Sequence, residues 1–208
     1  MQKTNFQKLT DKTVEEIKNL PYKPKLLLQA CCGPCGSYVI NYLAEFFDVT
    51  VFFCNSNIYP ESEYFLRLEQ VFALKGKMPS ANSIKIIDAG YRHEEFLKAA
   101  EGFEKEREGG ARCEKCFLLR LEKTAEYAAE KGFDFFGTTL TVSPHKNAEL
   151  INVIGEKLQN KYKVRFLFSD FKKRDGYKQS VELSKKYGLY RQEYCGCEFS
   201  LTDNEKTQ

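Results

Sequence analysis

The sequence predicts an α/β domain built on a doubly wound parallel sheet, with a cysteine-bearing C-terminal segment folded back onto it. Two observations carry that prediction. Short apolar runs of strand length alternate with longer stretches of helical periodicity, and the loops that follow the runs are rich in Gly, Pro and Asn. In such a sheet both faces are covered by helices, and ligands bind where loops leave the carboxyl ends of the strands.

Residues 1–24 form a polar segment, predicted helical, ahead of a single catalytic domain over residues 25–200; residues 201–208 are a polar tail. The first strand is residues 25–30 (KLLLQA), which ends in the Gly/Pro loop 31–36 before apolar residues at helical spacing over 37–47. A second apolar run, residues 49–54, leads through Asn55-Ser56-Asn57 to Pro60, whose fixed φ suits the opening of a helix over residues 61–77. Residues 83–88 (SIKIID) make the third strand, before a helix over 92–100. The charged, glycine-containing stretch 101–111 then precedes a long helix over 113–131, with Gly132 suited to end it. Residues 133–140 and 163–168 are the remaining strands, with one helix (147–160) between them and another (177–187) after the last.

A chain of 208 residues with 42% hydrophobic and 29% charged side chains buries a sizeable core and is not disordered. The net charge of +3 is too mild to demand a polyanionic partner, so the placement of basic residues has to decide. Residues 1–20 have no apolar h-region, and no stretch approaches the roughly 20 apolar residues of a membrane span. A cytoplasmic protein with no membrane partner is expected. Eight cysteines in a reducing compartment mean metal or redox chemistry rather than a disulfide framework.

Seven of the eight cysteines fall into three short clusters. Cys31, Cys32 and Cys35 occupy the first strand-to-helix turn, where helix-terminal N–H groups favour thiolates. Cys113 and Cys116 stand three apart at the start of a helix, which puts both sulfurs on one face. Cys195 and Cys197 flank a glycine, so both thiols point the same way while a bulky cofactor can approach the chain between them. Seven thiols exceed the four of one zinc site or one cubane, so either two centres exist or some thiols are free, and two centres is the favoured reading. Cys54, alone at the end of a strand, is a core residue.

Two rivals share the first loop. Cys32-Gly33-Pro34-Cys35 is a thioredoxin-type dithiol motif after a strand, yet Cys31 stands where thioredoxins carry Trp, and dithiol exchange leaves the other clusters unused. The same turn is also where nucleotide-hydrolase-like domains (HUP/PP-loop-like) cradle phosphate, but cysteines replace the Gly/Ser pattern, so that fold is expected here without ATP.

The longer motifs carry a resemblance. They are LQACCGPC at 28–35, NIYPESEYFLR at 57–67, RCEKC at 112–116 with Arg120-Leu121, TTLTVSPHKN at 138–147, SDFKK at 169–173 and LYRQEYCGCEFS at 189–200. Together they resemble the QueH family of cobalamin-independent epoxyqueuosine reductases. The chain departs from that pattern at Cys54-Asn55-Ser56-Asn57, where the family more often has Asn-Pro-Asn after a tyrosine. The resemblance implies two-electron reduction of the epoxide of epoxyqueuosine at the tRNA wobble position, with a [4Fe-4S] cluster, an additional mononuclear iron, no cobalamin and an external electron donor.

Within that resemblance we expect Cys32, Cys113, Cys116 and Cys197 to hold the cluster and Cys31 and Cys195 the second iron, with Asp170 as a harder oxygen ligand and Cys35 as a further candidate. Tyr59, Tyr64, Tyr177, Tyr194, His145 and a coordinated water are candidate proton donors that no sequence argument separates; Asp170, Tyr59 and Tyr177 are carried forward as the catalytic set. Lys172, Lys173, Arg174 and Arg191 are expected to contact tRNA phosphates, while Tyr59, Phe103, Tyr177 or Tyr190 could stack on the extruded base. The alternatives are a zinc-stabilised RNA-binding module, which leaves Cys31, Cys32 and Cys35 unexplained, and a cluster-dependent tRNA-thiolating enzyme, which would consume ATP.

Overall fold

A computed structural model describes residues 4–205, so the outermost three residues of each expected terminal segment lie outside it. Helix α1 (Phe6–Ile17) is followed by β1 (Lys25–Gln29), α2 (Gly33–Leu43), β2 (Asp48–Phe53), α3 (Glu61–Lys77), β3 (Lys85–Asp88) and α4 (His93–Ala100). Then come α5 (Ala111–Glu130), β4 (Phe135–Thr138), α6 (Ala148–Tyr162), β5 (Arg165–Phe166), α7 (Gly176–Lys186) and α8 (Glu198–Glu205). The strands form one five-stranded sheet in the order β3-β2-β1-β4-β5, every pair parallel. This is the doubly wound arrangement expected.

A strand covered on both faces needs apolar residues at every position, and β1 supplies them. Leu26 and Leu28 enter one core with residues of α2 and α3, while Leu27 enters the other with residues of α5 and α6. Burying each of these leucines contributes about 1.5–3 kcal/mol. Helix α7 packs on α2, and α4 packs on α5. Helix α1 docks through Ile17 in the first core and through Thr10 Oγ1, which donates to the Phe168 carbonyl at 2.8 Å.

β1 and β4 are neighbours, but the chain leaves β1 for α2 on one face and β4 for α6 on the other. Their divergence opens a crevice at the carboxyl ends of the two strands, the switch point of this topology. Beneath it lies a buried polar network. Gln29 Nε2 donates to Asn55 Oδ1 at 3.0 Å, Thr138 Oγ1 donates to Gln29 Oε1 at 2.8 Å, and Asn55 Nδ2 donates to the Ala30 carbonyl at 2.8 Å. Three strand ends are thereby tied together.

Several element bounds differ from expectation, each for a local reason. Helix α2 begins at Gly33 rather than at residue 37, because Pro34 is compatible with the first helical turn; Cys32 becomes its N-cap and Cys35 lies inside it. β5 spans only Arg165–Phe166 because it is an edge strand paired on one side, and Lys163 already ends α6 in a left-handed conformation (φ 60°). Asn147 caps α6 from outside, accepting from the Leu150 N–H at 3.1 Å. Gly132, at φ 67°, ends α5, with the Phe133 N–H returning to the Ala128 carbonyl at 3.0 Å. No helix among the described residues is long and apolar enough to cross a membrane.

Gly155 shows how tightly α6 sits on β5: a β-carbon there would stand 2.3 Å from the Phe166 ring. Gly155→Ala should therefore lower stability by about 1–3 kcal/mol despite a helix-propensity gain of about 1 kcal/mol, seen as a reduced denaturant midpoint at unchanged slope. A variant as stable as the parent would contradict this packing.

Candidate metal centre

The first cysteine segment is positioned by the β1-to-α2 turn. Cys31 follows the strand, Cys32 caps the helix, and Cys35 stands in its first turn, so the positive end of the helix dipole faces all three. Gly33 lets this turn approach α3, since a β-carbon there would lie 2.8 Å from the Gln70 carbonyl oxygen. The three sulfurs lie within 4.8 Å of one another, with Cys31 Sγ 3.8 Å from Cys32 Sγ. Among the described residues this is a metal-compatible thiol triad.

The second segment is the start of α5, where Cys113 and Cys116 occupy the first two turns on the buried face. The third is the return of the C-terminal chain. Arg67 of α3, 1% exposed and paired through Nε with Glu63 at 2.6 Å, donates from Nη1 to the Cys195 carbonyl at 3.1 Å and from Nη2 to the Tyr194 carbonyl at 3.2 Å. The Tyr59 N–H donates to the Gly196 carbonyl at 2.8 Å. Gly196 itself adopts φ 110°, and a β-carbon would meet Arg67 Nη1 at 2.9 Å, so only glycine fits between the two cysteines. His93, with Nε2 2.7 Å from Glu198 Oε1 and Nδ1 2.9 Å from the Ser56 carbonyl, ties the start of α8 to the start of α4 and to the loop after β2.

These segments converge on one cavity of about 440 Å³ at the switch point, walled by Cys31, Cys35, Cys113, Cys116, Cys195 and Cys197. Cys32 is not among the walling residues. Its sulfur accepts from Gln192 Nε2 at 3.1 Å, Cys113 Sγ accepts from the Gly109 N–H at 3.2 Å, and Arg120 Nη1 stands 4.0 Å from Cys116 Sγ. N–H donors on sulfur favour the thiolate, the form that binds metal. All eight cysteines are free.

The triad shares its charge unequally. Hydrogen bonds from Cys32 and Cys35, then the charges of Arg120 and Arg67, hold the Cys31 thiol well below its ordinary range, while Cys35 is pushed well above its own, chiefly by the hydrogen bond to Cys31. Burial raises Cys113, pushes Cys116 up to about 11 and pushes Cys197 up to about 12. Among the described residues six buried side-chain atoms have no hydrogen-bond partner, and four of them, Asn57 Oδ1, Arg112 Nε, Arg120 Nε and Gln192 Oε1, belong to the residues walling this cavity. Such a concentration of unmet donors and acceptors is the mark of a ligand site.

The other expected residues are distributed unevenly. Tyr177, Arg191 and His145 line the cavity, with the Arg191 guanidinium 6.0 Å from the Tyr177 ring. Asp170 is not part of the wall; its Oδ1 has no hydrogen-bond partner and forms an ion pair with Lys172 Nζ at 3.7 Å. Tyr59 contributes backbone contacts to the returning chain, with its carbonyl accepting from Tyr194 Oη, and its side chain is 43% exposed away from the wall. Lys172 Nζ donates to the Lys146 carbonyl at 3.2 Å, Lys173 is exposed, and Arg174 is paired with Asp11 of α1 at 2.7 Å. Cys54 is buried in the second apolar core at 2% exposure, outside the wall.

Sequence reasoning passed over His93 and the roles of Arg67, Gln192 and Arg120, and it read Arg112 only as part of a basic loop facing tRNA phosphates. A signal existed for two of them: Glu63 and Arg67, and likewise Cys116 and Arg120, are spaced i,i+4, which places each pair on one helix face.

The family model described as epoxyqueuosine reductase QueH matches residues 26–203. Among curated relatives, the epoxyqueuosine reductase QueH of Streptococcus pyogenes is 41% identical over 201 residues, covering 96% of this chain and 79% of the relative. That of Staphylococcus epidermidis is 42% identical over 203 residues, covering 96% and 85%. That of Thermotoga maritima is 39% identical over 184 residues, covering 87% and 92%. A match over nearly the whole chain, including every cysteine segment of the cavity, means that this chain belongs to the epoxyqueuosine reductase QueH family.

Proposed function

We propose that the protein is an epoxyqueuosine reductase that converts epoxyqueuosine at the tRNA wobble position to queuosine in the cytoplasm, using an iron-sulfur cluster and a second iron held by the cysteines of the cavity. The observation that carries this reading is the convergence of three cysteine segments on one pocket. A thiolate-rich donor set with N–H groups on sulfur suits iron-sulfur ligation, and seven thiols are enough for a cluster and a further metal. Cys113, Cys116, Cys197 and Cys32 are the proposed cluster ligands, with Cys31, Cys195 and Cys35 for the second iron; Asp170, outside the wall, is left out of this set. When bound, these groups would supply single electrons and draw electron density from the epoxide oxygen.

The overall change is an epoxide plus two electrons and two protons giving an alkene and water, with an external donor supplying the electrons. The chain's own residues bind the base and deliver a proton. Asn57 Oδ1 and Gln192 Oε1 have open acceptor sites for ring hydroxyls, and Phe96, Phe117 and Leu140 exclude water from the cavity. Of the two tyrosine hydroxyls on the wall, Tyr194 Oη is committed to the Tyr59 carbonyl, so Tyr177 Oη is assigned as donor to the departing oxygen. Arg191 at the wall, and Lys172 and Lys173 on the adjoining loop, are assigned to the tRNA backbone.

Anaerobically reconstituted protein should produce queuosine from epoxyqueuosine-containing tRNA, and Cys113→Ala should lose both the cluster absorbance and the activity while Cys54→Ala keeps them. A cluster-replete, active Cys113→Ala would sink the ligand assignment. Tyr177→Phe should lower kcat by about 10²-fold or more with tRNA affinity unchanged; an unaltered kcat would remove Tyr177 from proton delivery. Arg191→Ala should weaken tRNA binding and shallow its salt dependence by about 0.7–0.9 in log–log slope, and identical slopes would refute the phosphate contact.

A further inference from the structure

Arg120 is a buried cation without a carboxylate. Its side chain is 4% exposed at the floor of the cavity, Nη2 donates to Asn55 Oδ1 at 2.7 Å, Nη1 lies 4.0 Å from Cys116 Sγ, and Nε has no partner. Among the described residues no Asp or Glu lies within ion-pair distance of it, whereas Lys146 on the same wall is paired with Glu108 at 2.7 Å. Leaving an ion in the interior uncompensated costs several kcal/mol, and a guanidinium does not escape by losing its proton. Asn55 does not need it either, since Asn55 Oδ1 already accepts from Gln29.

Besides Asn55, the group that Arg120 meets is the Cys116 sulfur. Cys116 stands one turn before it on α5, and Cys31 and Cys54, just past the ends of β1 and β2, act on it through their charge. Burial works against the charge on Arg120, and these thiol groups more than offset it, holding the guanidinium above its ordinary value. Of these thiols Cys116 and Cys54 are pushed towards the neutral form and only Cys31 towards the thiolate, so together they make a partial counter-ion, whereas a thiolate-bound metal centre is a strong one. We infer that Arg120 is the fixed counter-charge of the metal centre, a positioning residue that stabilises its reduced, more negative state and so raises its reduction potential. The inference rests on the metal reading proposed above.

The test compares reconstituted wild type, Arg120→Gln and Arg120→Lys by spectroelectrochemical titration, together with thermal melts of the metal-free proteins. Arg120→Gln should shift the reduction equilibrium at least tenfold toward the oxidised form, about 59 mV for a one-electron couple, while Arg120→Lys stays close to wild type. Metal-free Arg120→Gln should melt at or above the wild-type temperature, because a buried unpaired charge has been removed. A folded Arg120→Gln that takes up no cluster while Arg120→Lys does would support the inference in its extreme form. An unchanged potential in Arg120→Gln, loss of the cluster in both variants, or a metal-free Arg120→Gln that does not fold would each overturn it. A wild-type protein that takes up no iron or sulfide would overturn the metal reading itself before any variant is compared.

Discussion

The site depends on the hydrogen-bond network buried where β1, β2 and β4 end. Asn55 Oδ1 accepts from both Gln29 and Arg120, and Gln29 Oε1 accepts from Thr138, so one amide pair sets the separation of three strand ends. Each bond contributes about 0.5–1.5 kcal/mol net, but removing one partner strands a buried polar group at a cost of about 1–3 kcal/mol. A network at the floor of a cavity is therefore stiff, and stiffness is what metal-ligand geometry requires. The same network carries Arg120 to the sulfurs, which couples the frame of the sheet to the electrostatics of the pocket.

Above that floor the three cysteine segments are held by different devices. The first is set by a helix start: Cys32 caps α2, and Gly33 lets the turn press onto α3. The second follows from α5, whose buried face presents Cys113 and Cys116 together. The third, with no strand to anchor it, is clamped by Arg67 through two carbonyls and by the backbone of Tyr59. Truncating Arg67 would leave the Glu63 carboxylate buried without its cation as well as freeing the strap, so the clamp and the pocket stand or fall together.

Much of this was legible in the sequence. The five apolar runs mark the strands because a parallel sheet buries both faces, and Cys31 through Cys35, Cys113 with Cys116, and Cys195 with Cys197 mark the site because thiols cluster for a chemical reason. The motifs around them were enough to place the family. What escaped was set by tertiary contact. Asp170, expected to end the last strand at the active edge, is half-buried in an ion pair with Lys172 outside the cavity wall, and Arg174 is paired with Asp11 of a helix far off in sequence. Gln192 and Arg120 look like ordinary surface polar residues until the C-terminal chain folds back and the cavity closes around them. Local spacing cannot report such pairings, although the i,i+4 relation of Cys116 and Arg120 was a usable hint.

The most direct test of the account is metal and acid-labile sulfide analysis with Mössbauer spectra on anaerobically purified, iron-reconstituted protein. The account predicts about four sulfides per chain with iron in excess of about four, in two spectroscopically distinct environments. About one zinc per chain without sulfide would contradict it, and would make the cysteines a tetrahedral structural site instead.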